Sequence, residues 1–193
     1  MSRQAGEAGH RGGIAREGSG SDAVHVCSLL DVHGVLEATR ARYLVTIINE
    51  QMMLATPHFL DANNHLKIAC NDICGPTPGL SPPTRLQVED LIRFAHRWNR
   101  QGPLVVHCWA GISRSTAAAF IILCTLNPET PEEFIARGIR SASRTASPNR
   151  LLVGLGDDLL GRGGRMLAAL ETIADRDDAT DVAQPFRLKS LYL

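Results

Sequence analysis

The stretch PLVVHCWAGISRSTAAAFIILC occupies residues 103–124 and joins two different elements. Its first part, PLVVHC, is a run of branched apolar residues that predicts a strand buried on both faces. Its last part, STAAAFIILC, is apolar on every side and predicts an internal helix. The loop between them places the thiol of Cys108 and the guanidinium of Arg114 at a strand-to-helix junction.

Strands and helices are also predicted before this stretch. The β-branched run YLVTIIN is typical of a buried strand, and TRLQVEDLIRFAHRWNR has the apolar spacing of an amphipathic helix. The segment NDICGPTPGLSPPT is too rich in Pro and Gly to be anything but a loop. The predicted elements are strands at 23–30, 43–49 and 65–70, helices at 31–41 and 84–100, and the loop at 71–84.

After Pro128 the sequence predicts helices only. They cover residues 130–142, 147–161 and 164–174, with Ser147 and Pro148 expected at the cap and first turn of the second. The predicted fold class is therefore α/β: a mostly parallel central sheet of about four to five strands flanked by helices, with a C-terminal helical cluster. Residues 1–21 are expected to be a disordered tail, 22–175 the folded domain, and 176–193 a C-terminal tail.

Composition narrows the possible partners and the compartment. The 193 residues include 20 Lys and Arg and 20 Asp and Glu, so no basic excess points to nucleic acid or an anionic membrane. No apolar run is long enough to span a bilayer, and residues 1–21 lack the apolar core of a signal peptide. The five cysteines are odd in number and irregularly spaced, which predicts reduced thiols and a cytoplasmic location. The oligomeric state is left open.

No metal or other cofactor is expected. Three possible ligands lie close in sequence, namely His65, Cys70 and Cys74, but no fourth follows at a useful spacing. These cysteines are instead interpreted as core and loop thiols. A secondary hypothesis is that Cys70 or Cys27 forms a disulfide with oxidised Cys108 and protects it.

The loop after Cys108 has the features of an anion site. Ligands of open α/β sheets bind where strands end and helices begin, and a helix N-terminus offers unpaired N–H groups. If the short loop curls, its N–H groups form a concave nest, with Gly111 adopting the unusual dihedrals and Arg114 gripping two oxygens. The residues expected around the anion are Trp109, Ala110, Gly111, Ile112, Ser113 and Arg114.

The same surroundings favour a reactive sulfur. Helix N-termini and nearby cations lower the pKa of cysteine thiols, so Cys108 is expected to be a thiolate. A thiolate beneath an oxyanion cradle fits attack on phosphorus through a phosphocysteine intermediate, with Arg114 and the amides stabilising the transition state.

The segment HCWAGISRS resembles the HC-x5-R-S/T signature of the cysteine-based protein tyrosine phosphatases, in the short form of the dual-specificity branch and small bacterial relatives. The likeness covers about residues 23–174. It implies that His107 orients the loop and helps hold the thiolate, and that Ser115 hydrogen-bonds the departing thiolate. The segment SPN at 147–149 resembles the one that follows the signature, which implies that Asn149 braces the phosphate loop.

A general acid must protonate the leaving oxygen. Asp72 follows the strand HLKIAC at the rim expected to carry Cys108, and its distance before the cysteine resembles the family's acid position. Asp61, Glu89 and Asp90 are the alternatives. The flanking NDI lacks the Trp-Pro-Asp triplet of the larger tyrosine-specific enzymes, which favours the dual-specificity group.

The sequence therefore predicts a phosphoprotein phosphatase that acts on phosphotyrosine, with dual specificity left open. The variable side chains of the loop include no base, which disfavours inositol lipids and 5′-triphosphate RNA. Trp109 or Ile112 would contact the aromatic ring. Two alternatives stay open: a phosphate-binding module without turnover, and a rhodanese-like sulfurtransferase, whose cysteine loop is usually shorter.

Overall fold

A five-stranded sheet organises the chain in the computed structural model, which describes residues 22–174 and 182–192. The strand order is β3-β2-β4-β1-β5, with the first four strands parallel and the last antiparallel to β1. The strands are β1 Val24–Cys27, β2 Tyr43–Ile48, β3 His65–Ala69, β4 Leu104–His107 and β5 Phe186–Leu188.

Helices cover both faces of the sheet. They are α1 Val32–Thr39, α2 Arg85–Trp98, α3 Arg114–Leu126, α4 Glu132–Ala142, α5 Arg150–Leu159 and α6 Arg165–Glu171. Alternate residues of β2 face opposite sides: Leu44 packs in the cluster beneath α1, and Val45 packs in the larger core formed with α2 to α6. The helix α3 is buried from Arg114 to Thr125, because it lies between the sheet and the C-terminal helices.

The parallel register brings the carboxyl ends of four strands to one edge of the sheet. Cys27 of β1 and Thr46 of β2 each pair with His107 of β4, and Ile48 pairs with Ala69 of β3. The loops that follow β3 and β4 therefore begin at the same edge. This arrangement positions the segments that contain Asp72 and Cys108.

These elements confirm the predicted fold class, and two local predictions are wrong. A strand does follow Pro128, since β5 lies in the segment assigned to a C-terminal tail; three residues are too few to show a periodicity. The cap of α5 is Asn149, whose side chain accepts a hydrogen bond from Leu152 N–H, and Ser147 and Pro148 lie before the helix. The tail predicted at residues 1–21 lies outside the described residues.

The end of the chain is anchored to the domain by polar contacts. The side-chain amide of Asn127 donates to the carbonyl of Ser190 at 3.0 Å and accepts from Tyr192 N–H at 3.1 Å. Arg100 Nε also donates to the Ser190 carbonyl at 3.2 Å, and the Ser190 hydroxyl donates to Asp22 at 2.6 Å. These bonds hold β5 at the edge of the sheet.

A buried ion pair joins the C-terminal helices. Arg162 and Glu132 have side chains 8% and 6% exposed, and Arg162 Nη1 donates to Glu132 Oε1 at 3.0 Å. Arg162 also donates to the carbonyls of Pro128 and Cys124, so its charge is well solvated by the protein. Burial alone raises the pKa of Glu132, but hydrogen bonds from Arg165 and the charges of both arginines outweigh it, and the pKa is lowered.

We expect Glu132→Gln to lower the free energy of unfolding by about 3 kcal/mol at neutral pH, because it leaves the Arg162 charge buried without its counter-ion. A carboxyl with a lowered pKa stabilises the fold above its unfolded pKa and loses that effect as the pH falls through the folded value. The difference from wild type should therefore shrink below about pH 4. Urea unfolding at several pH values measures it. Glu133→Gln, which removes an exposed carboxylate of the same helix, should change stability by less than about 1 kcal/mol.

Candidate active site

The carbonyls of the loop after β4 are held from outside. Its first residues bond to the end of β1 and to the C-terminal segment, and its last residues bond to the segment before α5. Trp109 O accepts from Leu29 N–H at 3.1 Å, Ala110 O from Ala183 N–H at 2.8 Å, Ile112 O from Ser147 N–H at 2.9 Å, and Ser113 O from Asn149 N–H at 3.3 Å.

These bonds decide where the N–H groups of the loop point. In a trans peptide the carbonyl and the next N–H lie on opposite sides, so each held carbonyl turns the following N–H toward the inside of the loop. Within residues 22–174 and 182–192, no group accepts a hydrogen bond from the N–H groups of residues 109–113. A curled run of unpaired N–H groups at the start of α3 suits an anion.

Gly111 allows the loop to lie against β1. Its φ is +76°, in the left-handed region, and a Cβ built on it would lie 2.9 Å from the carbonyl carbon of Cys27. Any side chain here would push the loop away from the end of β1. The positive φ and the close approach to Cys27 explain why the loop needs a glycine at position 111.

Cys108 lies at the base of the loop and is 1% exposed. Its Sγ is 3.1 Å from Oγ of Ser115, and the two groups share a hydrogen bond. Ser115 is itself buried in the first turn of α3. The structure therefore brings together the thiol and the hydroxyl that the sequence assigned to one reaction.

Arg114 is buried beside the loop with part of its guanidinium unpaired. Its Nη1 donates to the carbonyl of Cys70 at 2.8 Å, which fixes the side chain against the end of β3. Its Nε is buried and has no hydrogen-bond partner among the described residues, although it lies 3.7 Å from Oδ2 of Asp72. The free edge of the guanidinium is available to a bidentate oxyanion.

Asp72 is held over the loop by two neighbours. Its Oδ1 accepts from the Ser113 hydroxyl at 2.7 Å and from Asn149 Nδ2 at 2.8 Å, and the side chain is 37% exposed. Asn149 also caps α5 and bonds to Ser113 O, so one residue connects the loop that contains Asp72, the loop after β4 and a helix.

The other carboxylates considered from the sequence have surface roles. Asp61 caps the 3-10 turn that follows it by accepting from Asn63 N–H at 2.8 Å. Glu89 pairs with Arg85 at 3.3 Å, and Asp90 pairs with Arg93. The contacts with Ser113 and Asn149 distinguish Asp72 from all three.

His107 belongs to a buried polar network. Its Nδ1 is 3.4 Å from the carbonyl of Cys108, and its Nε2 is 2.8 Å from Oγ1 of Thr46. Burial is the main cause that lowers the pKa of His107 to about 4, opposed by the bond to the Cys108 carbonyl. His107 is therefore neutral at physiological pH.

The two cysteines proposed as partners of oxidised Cys108 are also buried. Burial raises the pKa of Cys70 to about 11, and burial together with the charge of Asp31 raises the pKa of Cys27. Both are therefore protonated thiols at neutral pH. Cys70 packs in the same core cluster as Cys108, whereas Cys27 packs in the cluster beneath α1.

Similarity to known proteins appears in the fold. No protein-family model and no curated protein sequence matches the chain. The solved Yvh1 phosphatase domain from Chaetomium thermophilum has a TM-score of 0.55 and 16% identity over 78% of this chain and 96% of that one. Human DUSP28 has a TM-score of 0.55 and 16% identity over 72% and 88%. DUSP15 has a TM-score of 0.52 and 18% identity over 81% and 94%.

The chain has the fold of the dual-specificity phosphatases. The end of β4, the loop after it and the segments that contact this loop carry all the site residues predicted from the sequence. Within residues 22–174 and 182–192, no group of three or more His, Cys, Asp or Glu is arranged to hold a metal ion. Over the same described part of the chain, no helix has the length and apolarity needed to cross a membrane.

Two residues that support this site, Ala183 and Thr46, were not singled out in the sequence, and His65 was considered only as a metal ligand. Nothing in the sequence near Ala183 marks it as a donor to a loop some 70 residues away. Thr46 gave a usable signal, since a hydroxyl inside the apolar run YLVTIIN must find a hydrogen-bond partner when buried.

We expect Ala183→Pro to weaken binding of inorganic phosphate about fivefold, because it removes the N–H that holds the carbonyl of Ala110, a loss of about 1 kcal/mol. Calorimetric titration measures the affinity, with thermal unfolding as a check on the fold. Ala183→Gly keeps the N–H and should bind like wild type. Equal affinity of the Pro and Gly variants would show that the C-terminal segment does not support the loop.

Proposed function

We propose that the protein is a phosphoprotein phosphatase that hydrolyses phosphotyrosine through a phosphocysteine on Cys108. The observation that carries this proposal is the pairing pattern of the loop: its carbonyls are held outward, and its N–H groups are unpaired beside a buried thiol. The buried, unpaired Nε of Arg114 adds a charged donor at the same place. Together they supply a nucleophile and an oxyanion site.

In the first step the Cys108 thiolate attacks phosphorus. The S–P bond forms as the bond between phosphorus and the phenolic oxygen breaks, and the bonding electrons leave with that oxygen. In its acid form, Asp72 delivers a proton to this oxygen so that a neutral phenol departs. The loop amides and Arg114 stabilise the three equatorial oxygens.

In the second step water attacks the phosphocysteine. Asp72, now a carboxylate, accepts a proton from the water as the O–P bond forms and the S–P bond breaks. The electrons of the S–P bond return to sulfur. Ser115 Oγ, 3.1 Å from the sulfur, donates a hydrogen bond that stabilises the departing thiolate.

The surface around the loop supports an aryl phosphate. Trp109 is 54% exposed, and Leu30 is 85% exposed beside Leu29, whose N–H bonds to Trp109 O. Trp109 belongs to the loop and Leu30 follows the residue bonded to it, and the variable positions of the loop carry no base. An aromatic ring gains by contacting such a rim, whereas a polyphosphorylated headgroup would lack counter-charges.

All five cysteines are free thiols, which supports a reducing compartment such as the cytoplasm.

We expect Cys108→Ser to abolish hydrolysis of p-nitrophenyl phosphate and of a phosphotyrosine peptide, because the hydroxyl is a far weaker nucleophile than a thiolate. The variant should still bind phosphate, since the loop amides and Arg114 are unchanged. Cys74→Ser, at an exposed thiol, is the matched control and should keep full activity. Full activity in Cys108→Ser would refute the mechanism. A wild-type protein that binds phosphate without turnover would be the silent module, and thiosulfate sulfurtransfer would identify the rhodanese alternative.

We expect Asp72→Asn to lower kcat by roughly 10²–10⁴-fold with poor leaving groups, because the amide cannot donate the proton that phenoxide needs. The loss should be smaller with p-nitrophenyl phosphate, whose leaving group needs less protonation. A series of aryl phosphates measured across pH tests both points. Asp61→Asn is the control; if it shows the loss instead, the acid is misassigned.

A further inference from the structure

A chain of hydrogen bonds runs from the loop carbonyl of Cys108 to the surface segment after β2. Oγ1 of Thr46 lies 2.8 Å from Nε2 of His107 and 2.8 Å from Nε2 of His65. Nδ1 of His65 lies 2.9 Å from Oγ1 of Thr56. With the contact of His107 Nδ1 to Cys108 O, two imidazoles and two hydroxyls link four segments of the fold.

Only one arrangement of protons satisfies every contact in this chain with both histidines neutral. The Cys108 carbonyl can only accept, so His107 carries its proton on Nδ1 and its Nε2 accepts from the Thr46 hydroxyl. Thr46 has a single proton, so it must accept from His65, which then carries its proton on Nε2. The remaining Nδ1 of His65 accepts from the Thr56 hydroxyl.

Burial supports neutral imidazoles at both positions. It is the main cause that lowers the pKa of His65 to about 4, with the nearby charge of Lys67 acting in the same direction. The pKa of His107 is likewise lowered to about 4. At neutral pH, where both rings are neutral, the direction of each hydrogen bond in the chain therefore depends on the tautomers alone.

The orientation of the first loop peptide follows from this order. The N–H of Trp109 lies opposite the carbonyl of Cys108 in the same peptide plane. When His107 holds that carbonyl, the N–H of Trp109 faces into the loop. If His107 took the other tautomer, its bare Nδ1 would face the carbonyl oxygen, and the two acceptors would repel each other.

We propose that Thr46 and His65 are positioning residues that fix the Nδ1–H tautomer of His107 and thereby orient the first amide of the phosphate loop. This proposal rests on the proposed function, because it assigns the amide to the oxyanion site. Thr46 is fully buried and His65 is buried. Neither residue needs to contact the sulfur of Cys108 or the substrate. They act through His107.

The tautomers are measured directly by ¹⁵N NMR of histidine-labelled protein. Wild type should show His107 protonated on Nδ1 and His65 on Nε2. Thr46→Val, which keeps the shape and removes the hydroxyl, should give His107 a mixture of tautomers and lower kcat about tenfold, within the range for residues that orient an active group. Thr46→Ser restores the hydroxyl and should restore both the single tautomer and kcat to within about twofold.

His65→Leu provides a second variant, because it frees the Thr46 hydroxyl to rotate; it should also mix the His107 tautomers and lower kcat. His58→Asn, at an exposed histidine of the segment before β3, is the control and should change neither. A purely structural role would lower the melting temperature without changing the His107 tautomer. The proposal is overturned if wild-type His107 carries its proton on Nε2, or if Thr46→Val keeps both the tautomer and kcat.

This experiment separates the two proposals. If the wild-type protein has no phosphatase activity, the proposed function fails, and the tautomers together with the affinity for inorganic phosphate still decide the positioning role. In that case Thr46→Val should weaken phosphate binding about fivefold relative to Thr46→Ser. Equal affinities and unchanged tautomers would overturn it.

Discussion

The outward anchoring of five loop carbonyls is the constraint on which this site depends. Backbone N–H groups that bind an anion must be kept from bonding to the protein, and a loop left to itself would turn some of them toward its own carbonyls. Here the carbonyls of residues 109, 110, 112 and 113 accept from N–H groups of other segments, and that of residue 108 is held by the side chain of His107. Because a peptide is planar, fixing one side fixes the other, and the amides are held in an orientation that suits an anion.

The sheet makes this anchoring possible. Parallel pairing of β1 with β4 aligns Cys27 with His107, so the segment after β1 runs beside the loop and supplies the N–H of Leu29. The antiparallel strand β5 then covers the other side of β1, and the segment leading into it supplies the N–H of Ala183. The partners of the loop therefore come from segments far apart in sequence. Strand pairing places Leu29 and Ala183, and Ser147 and Asn149 belong to the segment that leads into α5.

This dependence explains which features the sequence could predict. The motif around Cys108, the buried strands and the amphipathic helix α2 depend on neighbours in sequence, and periodicity and spacing identified them. The position of Asp72 near the loop could be predicted because the carboxyl ends of parallel strands share an edge, and its role as the acid stays a prediction. Strand β5 and the donor Ala183 were missed, since three residues carry no period and a backbone N–H carries no side-chain signal. The cap of α5 was placed two residues early because Ser-Pro satisfies the cap rule as well as Asn149 does.

The contact between Asp72 and Arg114 places the proposed acid beside the proposed oxyanion site. Oδ2 of Asp72 lies 3.7 Å from Nε of Arg114, while its Oδ1 is held by Ser113 and Asn149. In the proposed mechanism the Nε donor binds an oxygen of the phosphate, so the phosphate and the carboxyl group that protonates the leaving oxygen share one neighbour. Because Ser113 belongs to the loop and Asn149 bonds to its carbonyl, the contacts that hold Asp72 also tie the proposed acid to the proposed oxyanion site.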